Sequence, residues 1–353
     1  MSLTLFNVIL AVFIAICFVG ANAAYLVWCE RKGAGLFQRR PGPMENGPWG
    51  LLQPPIDGVK LMTKQLLIPG GVDKAIFMVA PVLAMFPALI SFVTIPFSDN
   101  IVAHPIDVGV LMIFAFAALG GMSLLVAGWG SRNKYSMISS VRAVSQTVAY
   151  EIPLMITTIT IVMISGSLNL SDIVQTQLGG FWSWNIWPLQ KQVGFNLLMP
   201  VSFLILFVCS VAETNRAPFD LGEAESELVA GFHTEYSSMG FGLFFMGEYA
   251  NIVIGACLTV ILFLGGWACP VGDLGFFPFT HHVGWFLLKI YLIIFVFIWI
   301  RWTFPSFLPV PNRCSTACGN LEGISPAAGH PQLPARIGED VPPVPRPYRT
   351  HRR

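Results

Sequence analysis

Seven long apolar runs, separated by polar stretches, set the frame of this chain. Residues 1–29 contain no Asp, Glu, Lys or Arg, and six further runs follow: Ala75–Phe97, Val108–Gly130, Ala143–Ser165, Val193–Ala212, Met239–Ala268 and Val283–Ile300. An α-helix needs roughly 20 apolar residues to cross a hydrocarbon core of about 30 Å. The pattern therefore predicts an all-α protein, a polytopic transmembrane helix bundle of seven spans. Three runs are interrupted by a charge: Glu151 in the fourth, Glu248 in the sixth and Lys289 in the seventh. The first positive charge is Arg31, so no basic segment precedes the first run. It reads as a retained helix, not a cleaved signal.

The polar connections carry their own pattern. In the first, "RRPGPMENGPWGLLQPP" is a Pro/Gly-rich loop, and "IDGVKLMTKQLL" follows it. There Asp57, Lys60 and Lys64 share one helical face, and Ile56, Val59, Met62 and Leu66 share another. This predicts an amphipathic helix lying at the membrane surface or against a soluble partner. Lys and Arg concentrate in the first connection (Arg31, Lys32, Arg39, Arg40, Lys60, Lys64) and the third (Arg132, Lys134, Arg142). Basic loops stay on the cytoplasmic side. The N-terminus is therefore expected outside, periplasmic in a bacterium, and the fifth connection in the cytoplasm. The chain divides into a bundle with its loops, 1–305, and a Pro/Arg-rich tail, 306–353. The tail lacks the apolar periodicity to build a core and is expected to be disordered.

Composition narrows the function classes. The chain is 54% hydrophobic and 11% charged, with mean hydropathy +0.67; soluble domains carry about 25% charged residues. The lipid bilayer is thus the first partner, and a net charge of +1 gives no reason to expect a nucleic acid. The seven cysteines form no CxxC pair, and no histidine falls inside a predicted span. A haem held between helices is not expected, nor a metal site or any redox centre belonging to this chain.

Charge is unevenly spent. Of 19 acidic residues, six crowd into "AETNRAPFDLGEAESELVAGFHTEY", Ala212 to Tyr236: Glu213, Asp220, Glu223, Glu225, Glu227 and Glu235. Glu223 and Glu227 would share a helical face at i, i+4, and Glu213 can pair with Arg216 at i, i+3. A carboxylate within a span costs about 2.5–3.5 kcal/mol on insertion scales, which makes Glu151 and Glu248 functional candidates. Lys289 is either a counter-charge or a snorkelling lysine. The pattern suggests carboxylates that exchange protons near the membrane surface, against a plain solvated acidic loop.

The same stretch resembles the signature of the H-type membrane subunit of respiratory complex I, the NADH–quinone oxidoreductase. "ERKGAGLFQRRPGPMENGPWGLLQPPIDGVKLMTKQ", "SVRAVSQTVAYEIPL" and "FFMGEYANI" are similar to other motifs of that family, and the resemblance runs from Leu3 to Pro305. It implies a bacterial inner-membrane subunit that lines a quinone chamber and couples quinone reduction to proton translocation. Its partners would be the other complex I subunits, both hydrophilic quinone-site subunits and membrane-arm subunits. Those partners would hold FMN and the iron–sulfur clusters, quinone would be the substrate of the complex, and this chain would bind no cofactor and carry no catalytic or metal-ligating residue. The implied proton-coupling acids are Glu30, Glu151, Glu213, Asp220, Glu223, Glu225, Glu227, Glu235 and Glu248. The implied charge partners at the chamber are Arg31, Arg39, Arg142, Arg216 and Arg301.

This chain departs from the family pattern in places. Gln65 and Gly247 stand where the family usually has Glu and Ala. After "RWTFP" the family's eighth helix is missing. A reading-frame shift would account for this: Phe307-Leu-Pro-Val-Pro and Leu321-Glu-Gly, read one base on, can encode Phe-Arg-Tyr and Trp-Lys. The other expectation is a divergent soluble tail. Alternative functions are the equivalent coupling subunit of a membrane-bound hydrogenase or formate hydrogenlyase, a stand-alone ion transporter, or a passive anchor. The chain lacks the internal repeat that many transporters show.

Overall fold

Each predicted apolar run folds as a helix, in a computed structural model that describes residues 5–99, 106–187, 198–220, 222, 230–270 and 280–304. Among these residues the helices are α1 (Leu5–Phe37), α2 (Gln53–Thr63), α3 (Lys74–Thr94), α4 (Gly109–Gly130), α5 (Lys134–Ser165), α6 (Leu170–Gln175), α7 (Met199–Glu213), α8 (Ser238–Phe263) and α9 (Thr280–Thr303). Helices α3, α4, α5, α8 and the Val283–Thr303 part of α9 are long and apolar enough to cross a membrane. Helix α7 is a shorter apolar helix, and the expected beginning of its run, Val193, lies outside the described residues. The tail, 306–353, also lies outside them.

The central element is α8, which touches α1, α2, α3, α6, α7 and α9. Its apolar side chains from Ile252 onwards are buried, Val260 to Phe263 completely. Close approach elsewhere depends on small residues, as is usual between helices in lipid. A Cβ on Gly128 of α4 would fall 2.1 Å from the Ser140 hydroxyl of α5 and 2.9 Å from the Ser136 carbonyl. A Cβ on Gly247 of α8 would fall 3.2 Å from the Ala84 carbonyl of α3. Helix α3 carries Pro81 and Pro87 in its interior, each lacking the N–H of a normal helical bond.

Several boundaries differ from those expected, for physical reasons. Helix α1 continues through Glu30-Arg31-Lys32 to Phe37, because Glu30 turns inward and meets partners on α8 and α9. Helix α5 starts at Lys134, not Ala143, where the Asn133 side chain accepts a bond from the Tyr135 N–H at 3.0 Å and caps the helix. Its polar first turns are helical although they contribute nothing to an apolar run. Helix α8 stops at Phe263, not Ala268, before Gly265 and Gly266, whose φ of 68° and 50° only glycine adopts readily.

Lys289 completes that stop. Its Nζ donates to the carbonyls of Leu264 (2.7 Å), Gly266 (3.0 Å) and Ala268 (2.7 Å) and lies 4.1 Å from the centre of the Trp184 ring. The buried ammonium is neither a counter-charge to an acid among the described residues nor a snorkelling lysine; it caps the carbonyl end of α8. Gln177 and Asn185 add bonds from side-chain amides to the Leu262 carbonyl, and Gln177 also bonds Ile261.

The predicted amphipathic helix is α2. It docks on the start of α8, where the Ser238 hydroxyl donates to the carbonyls of Leu61 (3.0 Å) and Lys64 (2.7 Å). Ile56, Val59 and Met62 remain exposed, so the described part of this chain does not cover its apolar side.

Candidate functional site: a charged interior at one end of the bundle

Glu30 is buried in the last third of α1, held from two directions. Arg301 of α9 forms an ion pair with Oε1, and the Tyr249 hydroxyl of α8 donates to Oε2. The guanidinium of Arg216, in the loop after α7, lies 4.8 Å from the Tyr249 ring centre and 5.2 Å from that of Phe245. Arg216 then pairs with Glu248 Oε2 at 2.7 Å, both side chains being largely buried. Tyr249 and Glu248 are adjacent on α8, so the helix itself joins the two ion pairs. The second Glu248 oxygen, Oε1, lies 3.6 Å from His233 Nε2.

This corrects one expected pairing. Arg216 reaches Glu248, 32 residues away, and not Glu213 three residues before it. The reason is the path of the chain: α7 ends at Glu213, and the following turn carries Arg216 towards α8.

Glu213 occupies a different setting. It lines two adjoining small cavities. Glu248, Asn251, Thr147 and Ser123 share the first cavity with it, and Ser91, Ser210 and Asn251 share the second. Among the described residues, Glu151 on α5 is near enough for its charge to act on Glu213. Neither carboxylate has an ion-pair partner among the described residues. A third small cavity has Glu30, Arg216, Tyr249 and Arg301 at its polar side and Leu26, Ile252, Phe297 and Ile298 among its apolar walls. Thr214 lines both this cavity and the one shared by Glu213 and Glu248. The side chains thus form a file: Arg301, Glu30, Tyr249, Arg216, Glu248 and, across a cavity, Glu213 with Glu151 beyond it.

Of the residues predicted for the site, Glu30, Glu151, Glu213, Glu248, Arg216 and Arg301 come together. Arg31, Arg39 and Glu235 do not join them. Arg31 pairs with Asp57 of α2 at 2.7 Å in an exposed position. Arg39 is exposed just beyond α1 with φ 53°, and Arg142 is exposed on α5. Glu235 accepts a bond from the Asn133 amide at 2.8 Å. Asp220 is half-buried in the loop after α7. Glu223, Glu225 and Glu227, with their expected shared face, lie outside the described residues. The sequence pattern did not single out His233, Tyr249 or Asn251. Asn251 had a usable signal: it is three residues from Glu248 and so on the same helical face. His233 had none, because its proximity to Glu248 is a matter of tertiary contact.

The described cysteines, Cys17, Cys29, Cys209, Cys257 and Cys269, are free thiols. Among the described residues, no group of three His, Cys, Asp or Glu side chains is placed to hold a metal ion.

An all-helical membrane protein with a buried file of acids and arginines at one end is the class that fold and site define. The NADH dehydrogenase family model matches residues 9–309. A protein of Desulfotalea psychrophila, named as the H subunit of NADH-quinone oxidoreductase, is 72% identical over 305 residues, 86% of this chain and 90% of that protein. Proteins of the same name from Rhodospirillum rubrum and Dehalococcoides mccartyi are 46% and 41% identical, covering 80% and 82% of this chain and 80% and 75% of their own lengths. The chain belongs to this family, the H subunits of NADH-quinone oxidoreductase.

Proposed function

We propose that this chain is the membrane subunit of a proton-translocating NADH–quinone oxidoreductase that lines the quinone chamber and turns quinone reduction into a change of carboxyl protonation. The observation that carries the reading is the file of buried charges ending in Glu213 and Glu151, two carboxylates without a cation beside them among the described residues. Reducing a quinone to a quinol takes two electrons and two protons. The electrons would come from a partner subunit; this chain's share is charge and proton handling.

Each part of the file has a physical role in this reading. The cavity beside Arg216 and Arg301 combines guanidinium donors with apolar walls, which suits a ring that carries carbonyl oxygens and an isoprenoid tail. Negative charge arising there would act on Arg216 first and then on Glu248, its ion-pair partner. Loosening that pair exposes Glu248 to the cavity it shares with Glu213. Glu213 in turn feels the charge of Glu151, and carboxylates coupled in this way titrate as a pair, so a charge change at one is felt as proton uptake or release at the other. Low local dielectric strengthens each of these interactions. The basic first and third connections support a periplasmic N-terminus and a cytoplasmic position for the loop after α7.

The names of the relatives support this reading over the hydrogenase-type coupling subunit, the lone transporter and the passive anchor. The test is complementation. Membranes lacking the chain are supplied with it or with its Arg216→Leu variant, and inhibitor-sensitive NADH:quinone activity is measured. The expected result is activity restored by the parent chain and reduced at least about tenfold by the variant, whose Glu248 is left buried and without its guanidinium. Full activity with Arg216→Leu, or none with the parent, would overturn the proposal.

A further inference from the structure

The Glu248 carboxylate has one oxygen on a permanent cation and the other facing a conditional one. Oε2 takes the Arg216 guanidinium at 2.7 Å, and Oε1 faces His233 Nε2 at 3.6 Å. His233 is as buried as Arg216. Its ring lies 3.8 Å from the Phe232 ring centre, 5.4 Å from Phe241 and 5.6 Å from Phe244. The turn that carries it is pinned, since the Ser136 hydroxyl of α5 donates to the Phe232 carbonyl at 3.3 Å and the Tyr236 N–H to the His233 carbonyl at 2.9 Å. The imidazole is therefore fixed in place and screened from bulk water on its aromatic side.

We propose that His233 is the proton-exchange partner of Glu248 and so a further residue of the coupling file. This rests on the function proposed above and names one of its proton-carrying steps. In that step the proton on Nε2 of an imidazolium passes to Glu248 Oε1, leaving a neutral imidazole and a carboxylic acid; the reverse step restores both charges. The distance of 3.6 Å is ion-pairing distance but exceeds hydrogen-bond reach. Transfer therefore takes a small approach of the ring or one water from the cavity that Glu248 lines. Because Arg216 stays on Oε2, the cluster carries net charge +1 with His233 protonated and Glu248 ionised, and the same charge after the transfer. Its charge falls to zero only when the proton leaves for another group, and Glu213, in the same cavity, is placed to take it.

Other ionisable groups among the described residues lie around the turn that carries His233. Helix α4, packed against the turn, contributes none. On α5, Lys134 and Tyr135 are exposed, and Glu235 beyond the turn is bonded to Asn133. Tyr236 stacks on Phe77 at 4.1 Å. Imidazole is the side chain whose charge changes between about pH 5 and 8 in ordinary surroundings, which is where a respiratory membrane works.

The experiment compares His233→Gln, Glu248→Gln and the parent in the whole purified complex. It measures NADH:quinone rate against pH and NADH oxidation by an artificial acceptor that bypasses quinone. For His233→Gln the expected result is an unchanged bypass rate, a quinone rate lowered about tenfold or more, and a pH profile that has lost one ionisation. A pH profile identical to the parent's, with Glu248→Gln defective, overturns this inference and leaves the proposed function standing. Parent-like behaviour of Glu248→Gln as well overturns both. Where His233→Gln does not assemble, the shorter His233→Asn takes its place. If that also fails, the native complex is read directly. Redox-induced infrared spectra should show a carboxyl band that changes with pH between about 5 and 8, and a flat band there overturns the inference.

Discussion

At the residue scale, burying a charge has two different outcomes in this chain. Lys289 is satisfied by three carbonyls and an aromatic ring, and nothing about it needs to change in function. Lys289→Met should lower the thermal stability of the assembled complex by about 3 kcal/mol, since bonds to a charged donor are worth about 1.5–3 kcal/mol. The specific activity of the complex that does assemble should stay the same. Unfolding curves and turnover per mole of assembled complex check both parts. Glu30 is the opposite case, set between Arg301 and Tyr249 at the wall of a cavity. Glu30→Gln keeps the shape but leaves Arg301 without its counter-charge, so quinone turnover should fall while bypass NADH oxidation is spared. A titration of both rates tests it. Glu151 and Glu248 were legible in the sequence because a carboxylate is conspicuous in an apolar run, Glu213 because it opens the acidic stretch, and Glu30 only through the family resemblance. Their partners were not. Arg216 to Glu248 and Arg301 to Glu30 are pairings between separate elements, and local spacing pointed Arg216 to Glu213 instead.

At the element scale, hydropathy located the helices and missed how they end. The run at α5 begins with Ala143 because Arg142, Ser139 and Ser140 are polar, yet the helix starts at Lys134 under the Asn133 cap. The run at α8 continues to Ala268 because Gly265, Gly266 and Trp267 are apolar, yet glycine geometry and Lys289 stop the helix at Phe263. Contact-enforcing glycines were also invisible to hydropathy, since Gly reads there only as mildly apolar. Gly128→Ala puts a methyl group inside the van der Waals radius of the Ser140 hydroxyl and against the Ser136 backbone. It should push α4 from α5 and cost about 1–3 kcal/mol, as overpacking does. Gly128→Ala with Ser140→Ala should recover part of that loss, whereas Gly247→Ala needs only a few tenths of an ångström from α3 and should be nearly neutral. Thermal unfolding of the four complexes measures the differences.

At the scale of the whole molecule, Glu213, the first of the acidic crowd in sequence, belongs to an internal file. That file starts on α1 and α9, crosses α8 twice, and reaches α7 and α5. Its members lie far apart in sequence, from Glu30 to Arg301, and only the bundle assembles them. The family signature supplied the list, and the fold divides that list into buried members and exposed ones such as Arg31, Arg39 and Arg142. The family-model match ends at residue 309, close to residue 306, where the composition turns rich in Pro and Arg.

The claim on which the account depends is that Glu213, with no cation beside it among the described residues, passes on a proton change set by quinone reduction. The most direct measurement is the number of protons translocated per NADH oxidised in vesicles containing the complex with Glu213→Gln. The account predicts that assembly and bypass NADH oxidation persist while quinone-dependent proton translocation is lost. A variant that reduces quinone at the parent's rate and translocates the parent's number of protons would contradict it.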